Sequence, residues 1–142
     1  MGFFDKLKKN NDDNQGIVLL TKHQNKEIDD SQFLRQFGKI SVFYSTPFGD
    51  HKDGGKRVFL LPGPDKTGFL PVFTSVEKIS AFYEEAGRVG YAIMEGNFTD
   101  VLNTTKEVNK SAPIKMGVII DPGYFDVTVD ATMLDTVIEM TK

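Results

Sequence analysis

A chain of 142 residues and 15.9 kDa hides roughly two-thirds of its unfolded surface when it folds, which suits one hydrophobic core and a single domain. Seventeen Lys and Arg against twenty Asp and Glu leave a formal charge of −3 and a pI near 5.4, which argues against a dedicated nucleic-acid binder. The absence of cysteine excludes disulfides, thiolate nucleophiles and Cys-ligated zinc, and 39% apolar with 26% charged residues is the composition of a globular chain.

Residues 1–16 read as a flexible N-terminal leader. Phe3, Phe4 and Leu7 share one face of a short basic helix over Met1–Lys9, and the Asn- and Asp-rich run 10–16 breaks it. That helix suggests a membrane-surface or partner-docking segment, but it carries little apolar area, and a loosely packed terminus is the plainer reading. The first apolar run, Ile17–Leu20, is four residues long, whereas a secretory signal needs about 7–15. No run approaches the ~18 residues that cross a bilayer, and Lys6 stands where a myristoylation motif wants Ser or Thr. The expectation is a soluble, cytoplasmic protein without a transmembrane segment.

From Ile17 to the end, residues 17–142 alternate short strands and short helices. Asp29 or Asp30 caps a helix carrying Phe33, Leu34 and Phe37, with Gly38 at its end. Ile40–Tyr44, Val58–Leu61 and Phe69–Phe73 are β-rich. Pro64–Gly68 is turn chemistry and makes the second and third of these a hairpin, with Pro71 at an edge or bulge. Thr74 with Glu77 fits a capping box, followed by a helix presenting Val76, Ile79, Phe82, Tyr83 and Ala86, and ended by Gly87. Tyr91–Met94 is again β-rich. Asn97 with Asp100 caps the next helix, whose stripe is Phe98, Val101, Leu102, Thr105 and Val108, and Pro113 stops it. Met116–Ile120 is a buried-type strand and Phe125–Val129 a short extended piece. Asp130 or Thr132 caps the last helix, with Met133, Leu134, Val137 and Ile138 inward. Interleaved elements with one evident hairpin predict an α/β or α+β domain. Its mixed sheet has about five strands and is packed by three to four helices.

Motifs that carry chemistry are sparse. Gly49–Arg57 superficially suggests a phosphate loop. Its spacing is one residue too long, Arg57 replaces the magnesium-binding Ser or Thr, and a strand follows where a helix is required. It reads instead as a long solvated hairpin loop able to dock a partner, with Phe48, His51, Lys52, Asp53, Lys56 and Arg57 as the candidate interaction surface. The run 11–16 faintly resembles a calcium loop, but Lys22 occupies the position of the bidentate Glu. Glu84 and Glu85 adjoin on a helix and do not face each other. Asp121 and Asp126 flank Pro122-Gly123 with no His or Lys nearby and read as turn formers. The pattern calls for no catalytic residue, metal or cofactor.

The aromatics divide by position. Phe43, Phe59, Phe73, Phe82 and Phe98 fall on inward faces, whereas Phe48, Phe69 and Phe125 lie in or near loops, where a cluster would mark an interaction surface.

Two segments taken together resemble the N-terminal domain of the SseB family, the enhanced-serine-sensitivity proteins. The first is Gly68–Ser75 with Glu77, Ile79 and Phe82, whose Pro71 and Phe73-Thr74-Ser75 carry the likeness. The second is Gly117–Gly123, with Asp121 where the family usually has Asn and Pro122 after it. The resemblance covers roughly residues 29–138. It implies a bacterial, cytoplasmic, mixed α/β protein without assigned catalytic residues, and the motif positions themselves have structural explanations.

Three functions are compatible with these features. The favoured one is a non-catalytic interaction or accessory module with a protein partner. The second is a hydrolase or transferase whose site is assembled from distant residues such as His51 or Asp121. The third is a membrane-surface accessory using residues 1–9.

Overall fold

The computed structural model describes residues 15–142. Its helices are α1 (residues 15–24), α2 (Asp30–Phe37), α3 (Val76–Glu85), α4 (Phe98–Asn109) and α5 (Leu134–Met140). The strands are β1 (Ser41–Tyr44), β2 (Phe48–His51), β3 (Lys56–Val58), β4 (Leu61–Pro62), β5 (Gly68–Val72), β6 (Arg88–Val89), β7 (Met94–Asn97), β8 (Met116–Ile120) and β9 (Val127–Val129).

Two of these, β5 and β8, are buried at every position. They pair in parallel from Gly68↔Met116 to Val72↔Ile120, as near-continuous apolar runs do when both faces are covered. β4 and β9 flank them antiparallel, giving the order β4-β5-β8-β9. β1 pairs with β7, and β3, β2 and β6 form a third sheet. A bridge between Phe43 and Phe73 links β1 to the end of β5.

One face of the four-stranded sheet offers Leu70, Val72, Val118, Ile120 and Val129 to the main core. There they meet Leu19 and Leu20 of α1, Phe33 and Phe37 of α2, Phe98 and Leu102 of α4, and Leu134 and Ile138 of α5. A smaller cluster holds Phe59, Phe73, Ile79 and Tyr83, with Phe43, Phe82 and Tyr91 packed against it.

The mixed α/β class read from the sequence is the class observed. The strands are shorter and more numerous than the apolar runs, because β2, β3 and β7 (Phe-Gly-Asp-His, Lys-Arg-Val and Met-Glu-Gly-Asn) carry no apolar alternation to announce them. The expected hairpin is β4–β5. Because β4 pairs only with Gly68 and Phe69, Pro71 sits where no β4 donor is needed, inside an interior strand and not at a sheet edge.

Several local expectations are corrected. Gln15 and Gly16 belong to α1 and not to a leader, and the apolar run Ile17–Leu20 is helical. The remaining leader, including Phe3, Phe4 and Leu7, lies outside the described residues. α3 is capped by Ser75, whose hydroxyl accepts from Lys78 N; Thr74 is engaged elsewhere. Neither Asp130 nor Thr132 caps α5, because a 3-10 turn over Ala131–Met133 intervenes and makes no side-chain cap bond. The caps Asp29 and Asn97 are as expected.

Gly117 has a steric role. A Cβ there would collide with Val129 O and stand 2.9 Å from Ala131 N, where the chain crosses over β8. Gly117→Ala should therefore destabilise the fold by about 1–3 kcal/mol, against less than about 0.5 for Gly96→Ala, where a Cβ would meet Val101 Cγ2 at an ordinary contact distance of 3.9 Å. Urea denaturation of the two variants checks this ordering.

Candidate functional site

The segment 48–58 is itself a β-hairpin, which corrects the long solvated loop expected over Gly49–Arg57. Phe48 pairs with Val58, Gly49 with Arg57 and Asp50 with Lys56. The turn is tight: His51 N donates to Gly55 O at 2.7 Å, and Gly55 N donates to the Asp53 carboxylate at 2.9 Å. Gly54 takes the positive φ of +91° that this turn needs. The Gly55 amide holds the Asp53 carboxyl below its usual range; desolvation opposes it, and the charges of Arg57 and His51 add to the lowering.

Side chains alternate across this sheet. Phe48, Asp50, Lys56, Val58 and Val89 share its outward face, because Phe48 faces Val58 and Asp50 faces both Lys56 and Val89. Phe48 is 53% exposed, Val58 44% and Val89 46%, and an Asp50–Lys56 ion pair at 2.8 Å lies beside them. Gly49 and His51 point the other way. The candidate surface is thus divided. Phe48 and Lys56 are on the outward face, while His51, Asp53 and Arg57 form a separate group behind it, with Asp53 bonded to both His51 and Arg57. Lys52 is exposed at the turn, where its amide donates to Gly87 O at 2.8 Å. Phe48, Phe69 and Phe125 do not form one exposed cluster, since Phe69 is buried in β5.

Behind the sheet lies Arg88, 4% exposed. Its guanidinium carbon stands 4.6 Å from the Tyr83 ring centre, 4.8 Å from Phe59 and 5.5 Å from Tyr91. Nη2 donates to Phe48 O at 2.9 Å and to Thr46 Oγ1 at 3.1 Å, while Nε and Nη1 have no hydrogen-bond partner. Among the described residues no carboxylate neutralises it. Three aromatic faces supply the attraction that a carboxylate would otherwise provide. Burial pushes the Tyr83 phenol above its ordinary range, and the adjacent Arg88 charge pulls it back. Gly49 makes room for this cation, because a Cβ there would stand 2.5 Å from Nε.

A second polar cluster joins the carboxyl ends of β5 and β8. Asp121, fully buried, accepts from Thr74 N (2.8 Å) and Thr74 Oγ1 (2.8 Å), and pairs with Lys78 Nζ (2.9 Å). Lys78 Nζ also donates to Thr74 Oγ1 at 2.9 Å and lies 4.8 Å from the centre of the Tyr124 ring. Asp121 is still the turn former expected of it, since its carbonyl accepts from Tyr124 N and Phe125 N. The expectation that no Lys lies near it is corrected by Lys78, which α3 delivers from 43 residues away. Thr74, Ser75, Asp121 and the buried Pro122 thus converge, with Phe73 in the smaller core. Glu77 lies exposed on the first turn of α3, and Pro71 and Gly117 are within the strands. Every polar atom of Asp121 is occupied, so the cluster is built to hold two strand ends and a helix together.

The histidines are apart. His23 pairs with Asp30 at 2.7 Å and lies tilted against the Phe33 ring, and His51 sits at the hairpin turn. Among the described residues, no group of three or more His, Asp or Glu converges as metal ligands, and no helix is long and apolar enough to cross a membrane. Arg88 and Lys78 were not singled out by sequence reasoning. An arginine set among Tyr83, Val89 and Tyr91 was the only available hint. Comparison with protein-family models, with curated proteins and with solved structures finds no match.

Two substitution series test these assignments by urea denaturation. Asp121→Ala should lose about 2–4 kcal/mol, because it strands a largely buried ammonium, and adding Lys78→Met should recover part of the loss. Arg88→Met should lose about 1–2 kcal/mol, chiefly through the lost Nη2 bonds to Phe48 O and Thr46 Oγ1. Arg88→Lys should lose more, since a compact, strongly hydrated ammonium cannot stack flat in the cage. The reverse order for Met and Lys would contradict the cage.

Proposed function

We propose that this protein is a non-catalytic interaction module of the SseB type, working in the bacterial cytoplasm and docking a partner protein on the outward face of the β3-β2-β6 sheet. The observation that supports this reading is the apolar pair Phe48 and Val58, exposed opposite each other on one small sheet, with an Asp50–Lys56 ion pair beside them and Val89 exposed on the same face opposite Asp50. Isolated exposed apolar residues need no explanation, but a contiguous group with a polar border is the anatomy of a docking patch. β3 is also an edge strand, with all three residues exposed, so a partner's chain has backbone groups to pair with. The partner this face fits presents an apolar surface with a polar border.

The residues expected to form the surface enter in two roles. Phe48 supplies contact area and Lys56 charge at the border. His51, Asp53 and Arg57 hold the turn that keeps the strands in register. The membrane-surface alternative rests on residues outside the described part of the chain.

Photo-crosslinking amino acids placed at Phe48, Val58 and, as a control, Glu139 test the proposal in cells of the source organism. The expected result is the same crosslinked protein from positions 48 and 58, none from 139, and loss of the product when Val89→Asp is added. Equal crosslinking at all three positions, or none at 48 and 58, would overturn it.

A further inference from the structure

We infer that the groove crossing the other face of the four-stranded sheet is a second docking site, and that its occupant is an extended partner peptide that is both apolar and basic. The groove encloses about 630 Å³. Its floor is Leu61 of β4, Phe69 of β5 and Ile119 of β8, which the strand registers place on one face with Thr128 of β9. Phe82 and Ala86 of α3 form a wall. Four strands about 4.8 Å apart make the floor about 14 Å wide, the span of about four extended residues.

Charge selects the occupant. The two ionisable residues that line the groove are both carboxylates, Glu85 on the α3 wall and Asp126 on the turn before β9, and no Lys, Arg or His lines it. Asp126 accepts from Gly123 N at 2.8 Å, and neither carboxylate has an ion-pair partner among the described residues. An apolar floor lined by two unneutralised carboxylates repels an acidic segment and attracts one that carries cations beside its apolar residues. None of β2, β3 or β6 lines this groove, so the site is independent of the hairpin face.

Fluorescence anisotropy with the intact protein and a fluorescein-labelled hexapeptide, KLFVLK, tests the inference, with ELFVLE as its charge-reversed control. The expected result is at least tenfold tighter binding of KLFVLK. That binding should fall at least tenfold in the Glu85→Lys, Asp126→Lys double variant and in Ala86→Arg, both with unchanged thermal unfolding. Val58→Asp should leave it intact, which separates this site from the hairpin face. Equal binding of the two peptides, or binding indifferent to the double variant, would overturn the inference. So would a concentration-dependent dimer abolished by Ala86→Arg without peptide binding, since a second copy would then be the occupant.

Discussion

Arg88 is a buried cation that meets no carboxylate among the described residues, and the hairpin sheet is organised around it. Removing a guanidinium from water costs several kcal/mol, and two of its nitrogens have no hydrogen-bond partner. The aromatic rings of Phe59, Tyr83 and Tyr91 offset this by surrounding the charge with their negative faces. Because Nη2 donates to Phe48 O, the cation also fixes the start of β2. Because Gly49 has no side chain, the strand lies flat on the guanidinium. With Gly49 and His51 held inward, alternation turns Phe48 and Asp50 outward. The apolar face is therefore a consequence of where the charge is buried.

The Asp121 cluster plays the corresponding part for the larger sheet. Parallel strands need a long crossover between them, and their carboxyl ends must be brought together by something other than a tight turn. Asp121 does this with three bonds from two residues, one amide and one hydroxyl on Thr74 and the ammonium of Lys78. Thr74 after β5 and Asp121 after β8 are thereby bonded to each other, and Lys78 ties α3 to both.

What could be read from the chain follows from how locally each signal is encoded. The mixed α/β class, the caps at Asp29 and Asn97, and the buried run Met116–Ile120 depend on neighbours within a few residues, and these were legible. Thr74 misled because Thr and Ser adjoin and both are good caps; the choice between them was made by Asp121, a residue far away in sequence. The β2–β3 hairpin was misread as loop because Gly49, Asp50 and Lys56 lack strand propensity, and their pairing is stabilised by Arg88 from outside the segment. Arg88 itself carries only a faint local signal, its nearness in sequence to Tyr83 and Tyr91, since the need for its charge to lie among aromatic rings exists only in the folded chain. The candidate surface could not be divided into its two faces from the sequence, because that division depends on the strand register.

The most direct test of the account is the nuclear magnetic resonance signal of the Arg88 Nε–H group in ¹⁵N-labelled protein, assigned by its loss in Arg88→Met. A guanidinium enclosed by Tyr83, Phe59 and Tyr91 predicts a ring-current-shifted resonance that persists after transfer to D₂O, while exposed arginines such as Arg57 exchange at once. An Arg88 signal at the ordinary shift, lost as fast as that of Arg57, would contradict the cage and with it the reason the hairpin presents Phe48 and Val58 to solvent.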